Sequence, residues 1–371
     1  MRRLHHLDAL RATAMLIVIV THLAGWWPAF LPLRDSTNEA LEWGLASLRW
    51  ALALFFLMAG YFGAQLAARW GTARFAKDRL KRIGLPLLAC VLVVVPLSNM
   101  VLARTAPHAD PVPAPGHVWF LWYVLVLYGL GLLLLRTPGR ERLAVVVRRT
   151  VASPFAVPVL AGVSTVVLLG ARELPVSGAS WLIPAPALLF FYGSFFVVGL
   201  LLHGGRGMEA IGDRMPLTGA LALVALVPMV LLNGGSVSDG PGGLAVPDAQ
   251  GIWLASWCLF AWAATFFVCG LGRRFLSEDR PAVRYVADSS YWLYLVHFPL
   301  VPLVIFFVAP LGLPFPVAWT IALALLFAVL LISYELLVRH TIIGRTLNGP
   351  RPARRWARRT RRDRVPGGAT G

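Results

Sequence analysis

Arg11 and His22 bracket the apolar run Ala12-Thr13-Ala14-Met15-Leu16-Ile17-Val18-Ile19-Val20-Thr21 and stand eleven positions apart. On a helix turning about 100° per residue, eleven steps make three turns plus roughly 20°, so both side chains leave one face. At 1.5 Å per residue their backbones are about 16 Å apart, which puts His22 near mid-membrane and Arg11 at one surface. A neutral histidine accepts a hydroxyl proton near pH 7, which suits it to general base catalysis. Arginine keeps its charge and grips phosphate through a planar fork of donors. The two residues together read as a grip for an anionic carrier with a base about half a bilayer away. A plainer account is also open: a neutral core histidine bonded to a carbonyl, and an arginine anchoring the end of a span.

A second histidine, His297, lies in Tyr291-Trp292-Leu293-Tyr294-Leu295-Val296-His297-Phe298-Pro299, again inside an apolar run. Tyr294 and His297 are three apart and share a helix face, so both can point into one cavity, although aromatic packing with a satisfied histidine has the same spacing. Glu335 needs a cation if it lies within lipid. Arg339, one turn on, supplies one, and a substrate cavity is the alternative setting for the carboxylate. Arg49 is an arginine at the outer end of a span, placed to meet an anionic acceptor or acyl group, or to snorkel to headgroups.

These residues need helices in lipid to position them. Of 371 residues, 58% are hydrophobic and 14% charged, whereas a soluble domain carries about a quarter charged residues. A bilayer core takes roughly 20 apolar residues per helix. Runs of that kind predict about ten transmembrane helices near residues 12–30, 45–66, 84–103, 117–135, 153–170, 184–202, 215–233, 251–271, 289–309 and 317–338, giving an all-α integral membrane protein. Pro158, Pro184, Pro186 and Pro228 fall within or at the ends of these runs, where membrane helices tolerate them as kinks. Cys90, Cys258 and Cys269 lack the count and spacing of a disulfide framework or a metal site, and no metal is expected. Trp26-Trp27 stands where a leader peptidase would need small residues, so the first helix is expected to stay uncleaved.

Basic residues cluster on alternate connections: Arg2, Arg3 and Arg11, then Arg69 to Arg82, then Arg136 to Arg149. The stretches between them, around Asp35-Glu39-Glu42, His108-Asp110, Arg172-Glu173 and Asp239-Asp248, are neutral or acidic. Since cytoplasmic loops keep positive charge, both termini are expected inside, in a multi-pass protein of the cell (plasma or inner) membrane. The net charge of +17 owes much to the tail from Arg351 to Arg364. That tail fits anionic lipid at about 1 kcal/mol per basic residue near the surface. It lacks the interleaved aromatics and folded module of a nucleic-acid binder, so no nucleic acid is expected as partner. The organisation expected is one membrane domain, 1–345, followed by a disordered basic cytoplasmic tail, 346–371.

Several short motifs carry a resemblance. Leu7-Asp8-Ala9-Leu10-Arg11 followed after ten residues by His22 resembles the arginine-ten-histidine signature of membrane acyltransferase family 3. Phe55-Phe56-Leu57-Met58-Ala59-Gly60-Tyr61-Phe62 is similar to that family's second-helix motif, with Ala59 where serine is usual. Arg79-Leu80-Lys81-Arg82-Ile83-Gly84-Leu85-Pro86 resembles the basic start of its third helix, and Tyr291 to Pro299 its late tyrosine-leucine-histidine motif. His117-Val118-Trp119-Phe120-Leu121-Trp122-Tyr123 is similar to the subgroup that includes glucan succinyltransferases. Each motif is weak alone, but five in order over roughly residues 4–345 make a specific signal.

The resemblance implies transfer of an acetyl or succinyl group from cytoplasmic acyl-coenzyme A (acyl-CoA), a donor substrate, to a hydroxyl of an extracytoplasmic glycan or related acceptor. No permanently bound cofactor is implied. Arg11 and Arg82 would hold the carrier's phosphates while His22 deprotonates the hydroxyl, acting directly or through an acyl-enzyme. Asp8, Arg49, Arg82, Trp122, Tyr123, Tyr294, His297 and Glu335 are the expected substrate-binding residues, and Tyr294 and His297 also the candidate donors to the oxyanion. A transporter of a glycan or lipid-linked intermediate would use the same polar cavity without acyl turnover, and a structural anchor or sensor would need neither histidine.

Overall fold

The computed structural model describes residues 5–30, 48, 50–171, 183–204, 207–232, 249–278 and 280–348, and the described residues form helices with no strand. Lipid offers nothing to hydrogen-bond a bare amide, so apolar runs there close their backbone bonds internally as helices. In chain order these are α1 (His5–Trp26), α2 (Trp50–Trp70), α3 (Thr72–Thr105), α4 (Trp119–Leu134), α5 (Arg140–Ala152), α6 (Ala156–Ala171), α7 (Pro186–Leu202), α8 (Met215–Leu231), α9 (Ala249–Phe275), α10 (Pro281–Val308) and α11 (Phe315–Leu337). The tail and the segment holding Arg49 lie outside the described residues.

Among the described residues, seven helices are long and apolar enough to cross a bilayer: α1, α2, α3, α4, α9, α10 and α11. An eighth span results if α5 and α6, bent by 119° at a short break, count as one. The expected runs 153–170, 184–202 and 215–233 coincide with the shorter α6, α7 and α8. At 17 residues, α7 and α8 reach about 26 Å at 1.5 Å per residue, short of a bilayer core about 30 Å thick. The basic fourth connection is largely helical: α5 carries Arg140, Arg142, Arg148 and Arg149 with exposed Leu143, Val145 and Val146, the composition of a helix lying in a membrane surface.

Burial sorts the helices. In its most apolar window α9 is 67% buried, whereas α11 is 22% buried and shows Ile321, Leu325, Ile332 and Leu336 to the outside. Such apolar outer faces suit lipid. Helix α1 lies along α10 and touches α9 and α2, while α2 packs closely on α7. The last contact depends on two glycines. A Cβ on Gly60 would sit 2.0 Å from the Phe196 carbonyl oxygen, and one on Gly199 would sit 2.0 Å from that of Leu57. Absent side chains let the backbones touch, which is how membrane helices gain packing when burial itself drives nothing.

Prolines in two helices free carbonyls that lead toward the site. Helix α3 contains two π-helical turns, Leu80–Gly84 and Cys90–Val94, followed by Pro86 and Pro96. Pro86 has no N–H for the carbonyl four residues back, that of Arg82, and the Tyr291 hydroxyl of α10 donates to it at 2.9 Å. In α10, Pro299 likewise leaves the Leu295 carbonyl, which the His117 ring approaches through Nε2 at 3.2 Å and the Cys90 thiol at 3.8 Å. Proline thus ties α10 to α3 and to the start of α4.

Candidate active site

The stripe on α1 faces the bundle. Arg11 Nη2 donates to the Ala287 carbonyl of α10 at 2.8 Å, and three helical turns on, His22 Nδ1 lies 3.1 Å from His297 Nε2. His297 is fully buried and its Nδ1 is 2.7 Å from the Tyr294 carbonyl. A carbonyl only accepts, so that nitrogen carries the proton and Nε2 of a neutral His297 is an acceptor. His22 Nδ1 is also 2.9 Å from the Val18 carbonyl and therefore donates. The His22 Nδ1–H is accordingly shared between Val18 and His297, which puts the lone pair of a neutral His22 ring on Nε2.

Below the pair, toward the Arg11 end, lies a cavity of about 370 Å³. Arg11, Arg79 and Arg82 line it together with Asp8 and Asp288, and Met15, Phe55, Met58, Phe120, Tyr291 and Tyr294 contribute much of the remaining wall. Asp78 holds two of these guanidiniums, bonding Arg82 Nε at 2.9 Å and pairing with Arg79. The lining residues nearest in sequence to the histidine pair are Met15, seven residues before His22, and Tyr294, three before His297. Seven residues rise about 10 Å along a helix, so the cavity stops short of His22. A second cavity of about 510 Å³ lies at the opposite end, lined by Phe30, Thr105, Pro107, His108, Phe306 and Pro310 among others.

Four residues singled out by the sequence come together at the first cavity: Asp8, Arg11, Arg82 and Tyr294. His297 joins His22 above it. Trp122 and Tyr123 lie off its wall. The Tyr123 hydroxyl, fully buried, accepts the Ala185 N–H at 2.8 Å where α7 begins. Glu335 Oε1 accepts from Arg339 at 2.5 Å, the local pair, away from both cavities. Tyr294 donates its hydroxyl proton to the His117 carbonyl at 2.8 Å and His297 donates to Tyr294, so both oxyanion-donor candidates are bonded to backbone. Ala59 lines the cavity, and its carbonyl accepts from Tyr128 at 3.3 Å.

Sequence reasoning missed His117, Arg79, Tyr128 and Asp288. His117 packs its ring on Phe298, centroids 4.7 Å apart and planes 1° from parallel, and edge-on to His297 at 5.3 Å. Gly116, at φ +62, turns the chain into the short 3-10 segment that presents His117. The signal available was Pro299, which demands a donor for Leu295 from some other element.

Residues 4–338 match the acyltransferase family 3 profile, described as an acyltransferase domain, so the chain belongs to that family and is a membrane acyltransferase. It is similar to glucans biosynthesis protein C of Salmonella gallinarum, 21% identical over 402 residues that cover 96% of this chain and 97% of that protein. The protein of the same name from Salmonella typhimurium is 21% identical over 404 residues, covering 96% and 98%. No solved structure matches.

Proposed function

We propose that this enzyme moves a short acyl group, acetyl or succinyl, from acyl-CoA to a hydroxyl of an extracytoplasmic glycan or related acceptor. The observation that carries the reading is the position of the His22–His297 pair above an arginine-lined cavity. Coenzyme A is a polyphosphate with a long, uncharged pantetheine arm. Arg11, Arg79 and Arg82 supply planar donors for its phosphates, and the largely apolar wall between them and Tyr294 suits the arm. The Arg11 end faces the cytoplasm in this reading because the basic connections lie there, and the cavity lined by Phe30 and His108 faces the acceptor side.

The reaction follows from the tautomers. His22 Nε2 takes the proton of the acceptor hydroxyl as its oxygen attacks the thioester carbonyl. His297 Nε2 stays in place as acceptor for the His22 Nδ1–H and supports the imidazolium as it forms. Collapse of the tetrahedral intermediate breaks the carbon–sulfur bond, and His22 returns the proton to the thiolate. An ester and free coenzyme A thiol leave. The thioester must rise past Met15 to meet His22, which calls for a modest opening between α1 and α10.

Release of free thiol from acetyl-CoA or succinyl-CoA by the protein in membranes, coupled to labelling of a glycan, tests this. Thiol release and labelling are expected with the wild type and absent with His22→Ala at equal protein level. Glycan flux without thiol release would instead establish a transporter, and full activity of His22→Ala would remove the mechanism.

A further inference from the structure

We infer that His117 is a further substrate-binding residue of the acyl-transfer site, its Nδ1 accepting a hydrogen bond from an N–H or O–H donor of the bound substrate. This rests on the acyltransfer reading above. Its own basis is a nitrogen with nothing to do in the free protein. His117 is 5% exposed, and its Nδ1 is buried without a hydrogen-bond partner.

The ring is not free to turn that nitrogen elsewhere. Its Nε2 lies 3.2 Å from the Leu295 carbonyl, which only accepts, so Nε2 carries the proton and Nδ1 the lone pair. Parallel stacking on Phe298 holds the plane, and the His117 carbonyl is itself held by the Tyr294 hydroxyl. A buried acceptor left unsatisfied is destabilising, and such exceptions call for a reason. The surroundings supply one: the ring stands edge-on to His297, 5.3 Å away, and His297 bonds His22. Three imidazoles from α1, α10 and the start of α4 therefore meet, two linked by a proton and the third with an open acceptor.

Two parts of an acyl-transfer complex bring a neutral donor to such a place. One is a hydroxyl of the acceptor next to the one whose proton His22 takes. The other is an amide N–H of the pantetheine arm. Both satisfy Nδ1, and neither requires His117 to change protonation.

Two substitutions separate the two nitrogens. A glutamine amide reproduces Nε2, keeping the donor to Leu295 and deleting the Nδ1 acceptor. Asparagine reproduces the Nδ1 position with an amide oxygen and abandons Leu295. Purified wild type, His117→Gln and His117→Asn would be assayed for thiol release from succinyl-CoA with a soluble glucan oligosaccharide, alongside thermal melting in detergent. The expected result is a His117→Gln variant that melts like wild type yet turns over at least tenfold more slowly, with part of the rate recovered in His117→Asn despite a lower melting point. A rise in KM for succinyl-CoA then identifies the pantetheine amide, and a rise in KM for the oligosaccharide identifies the hydroxyl. Wild-type turnover in His117→Gln, or loss of melting without loss of rate per folded molecule, overturns the proposal and leaves His117 a prop for Leu295. A wild-type protein that releases no thiol overturns the acyltransfer reading itself, and this one with it.

Discussion

His22 and His297 lie 275 residues apart in the chain and meet through Nδ1 and Nε2 at 3.1 Å, each ring also bonded to a carbonyl of its own helix. The carbonyls fix which nitrogen holds which proton, so the pair has one direction: His297 receives from His22, whose lone pair in the neutral ring is on Nε2. His297→Ala removes that receiver. Turnover should fall by about 10²-fold, the lower range for loss of acid–base assistance, with KM for acyl-CoA nearly unchanged. Steady-state kinetics on protein of verified melting temperature would check this, and an unchanged kcat would show that the bond does not serve catalysis.

Arg82 has its Nε on Asp78 and its carbonyl under Tyr291, while its side chain reaches the cavity. Losing one charge-assisted contact to phosphate costs about 1.5 kcal/mol, so Arg82→Ala should raise KM for acyl-CoA roughly tenfold and leave kcat alone. The same KM should climb with salt in the wild type and climb less in the variant. Equal salt dependence in both would place the phosphates elsewhere.

The Tyr291 hydroxyl is the donor that reaches the carbonyl Pro86 cannot serve. Tyr291→Phe keeps the ring and deletes the bond, at a cost of about 1 kcal/mol. A lower melting temperature in detergent is expected, and an unshifted one would mean that the carbonyl finds another donor.

Gly60→Ala puts a methyl group 2.0 Å from a backbone oxygen across the α2–α7 contact. Neither backbone can yield without parting the helices, and overpacking of this kind costs about 1–3 kcal/mol. Gly129→Ala is the control, because a Cβ there meets nothing within 4 Å. Thermal melting should drop for the first and hold for the second. Equal behaviour would mean that the close approach of α2 and α7 is not present in the folded protein.

Glu335→Gln weakens the pair with Arg339 beside Tyr285 of α10, away from the cavity that holds Arg11. Turnover and KM for acyl-CoA should match the wild type. A rise in KM alone would bring Glu335 back as a substrate contact.

Much of this protein follows from local pattern. Arg11 and His22 share a face because helical geometry repeats every 3.6 residues, and Tyr294 and His297 neighbour each other for the same reason. Apolar run length predicts the long helices, since lipid forces each run to close its own hydrogen bonds. The local Glu335–Arg339 pair was open to the same arithmetic. Run length is weaker for α6, α7 and α8, because apolar composition does not say where a proline or a sharp bend will cut a helix short.

Which faces meet was decided only by the folded chain. Spacing within α1 or α10 says nothing about the angle at which they cross, so the His22–His297 bond had no local signature. Nor did the arrival of His117 beneath a carbonyl freed by Pro299, or the gathering of Arg79, Arg82 and Asp288 with Arg11 around one cavity. The bare backbones at Gly60 and Gly199 let α2 close on α7, and the α1–α10 contact brings the histidines together. Chemistry at this site needs groups within about 3 Å of one another, and only tertiary packing sets separations that fine between helices so distant in sequence.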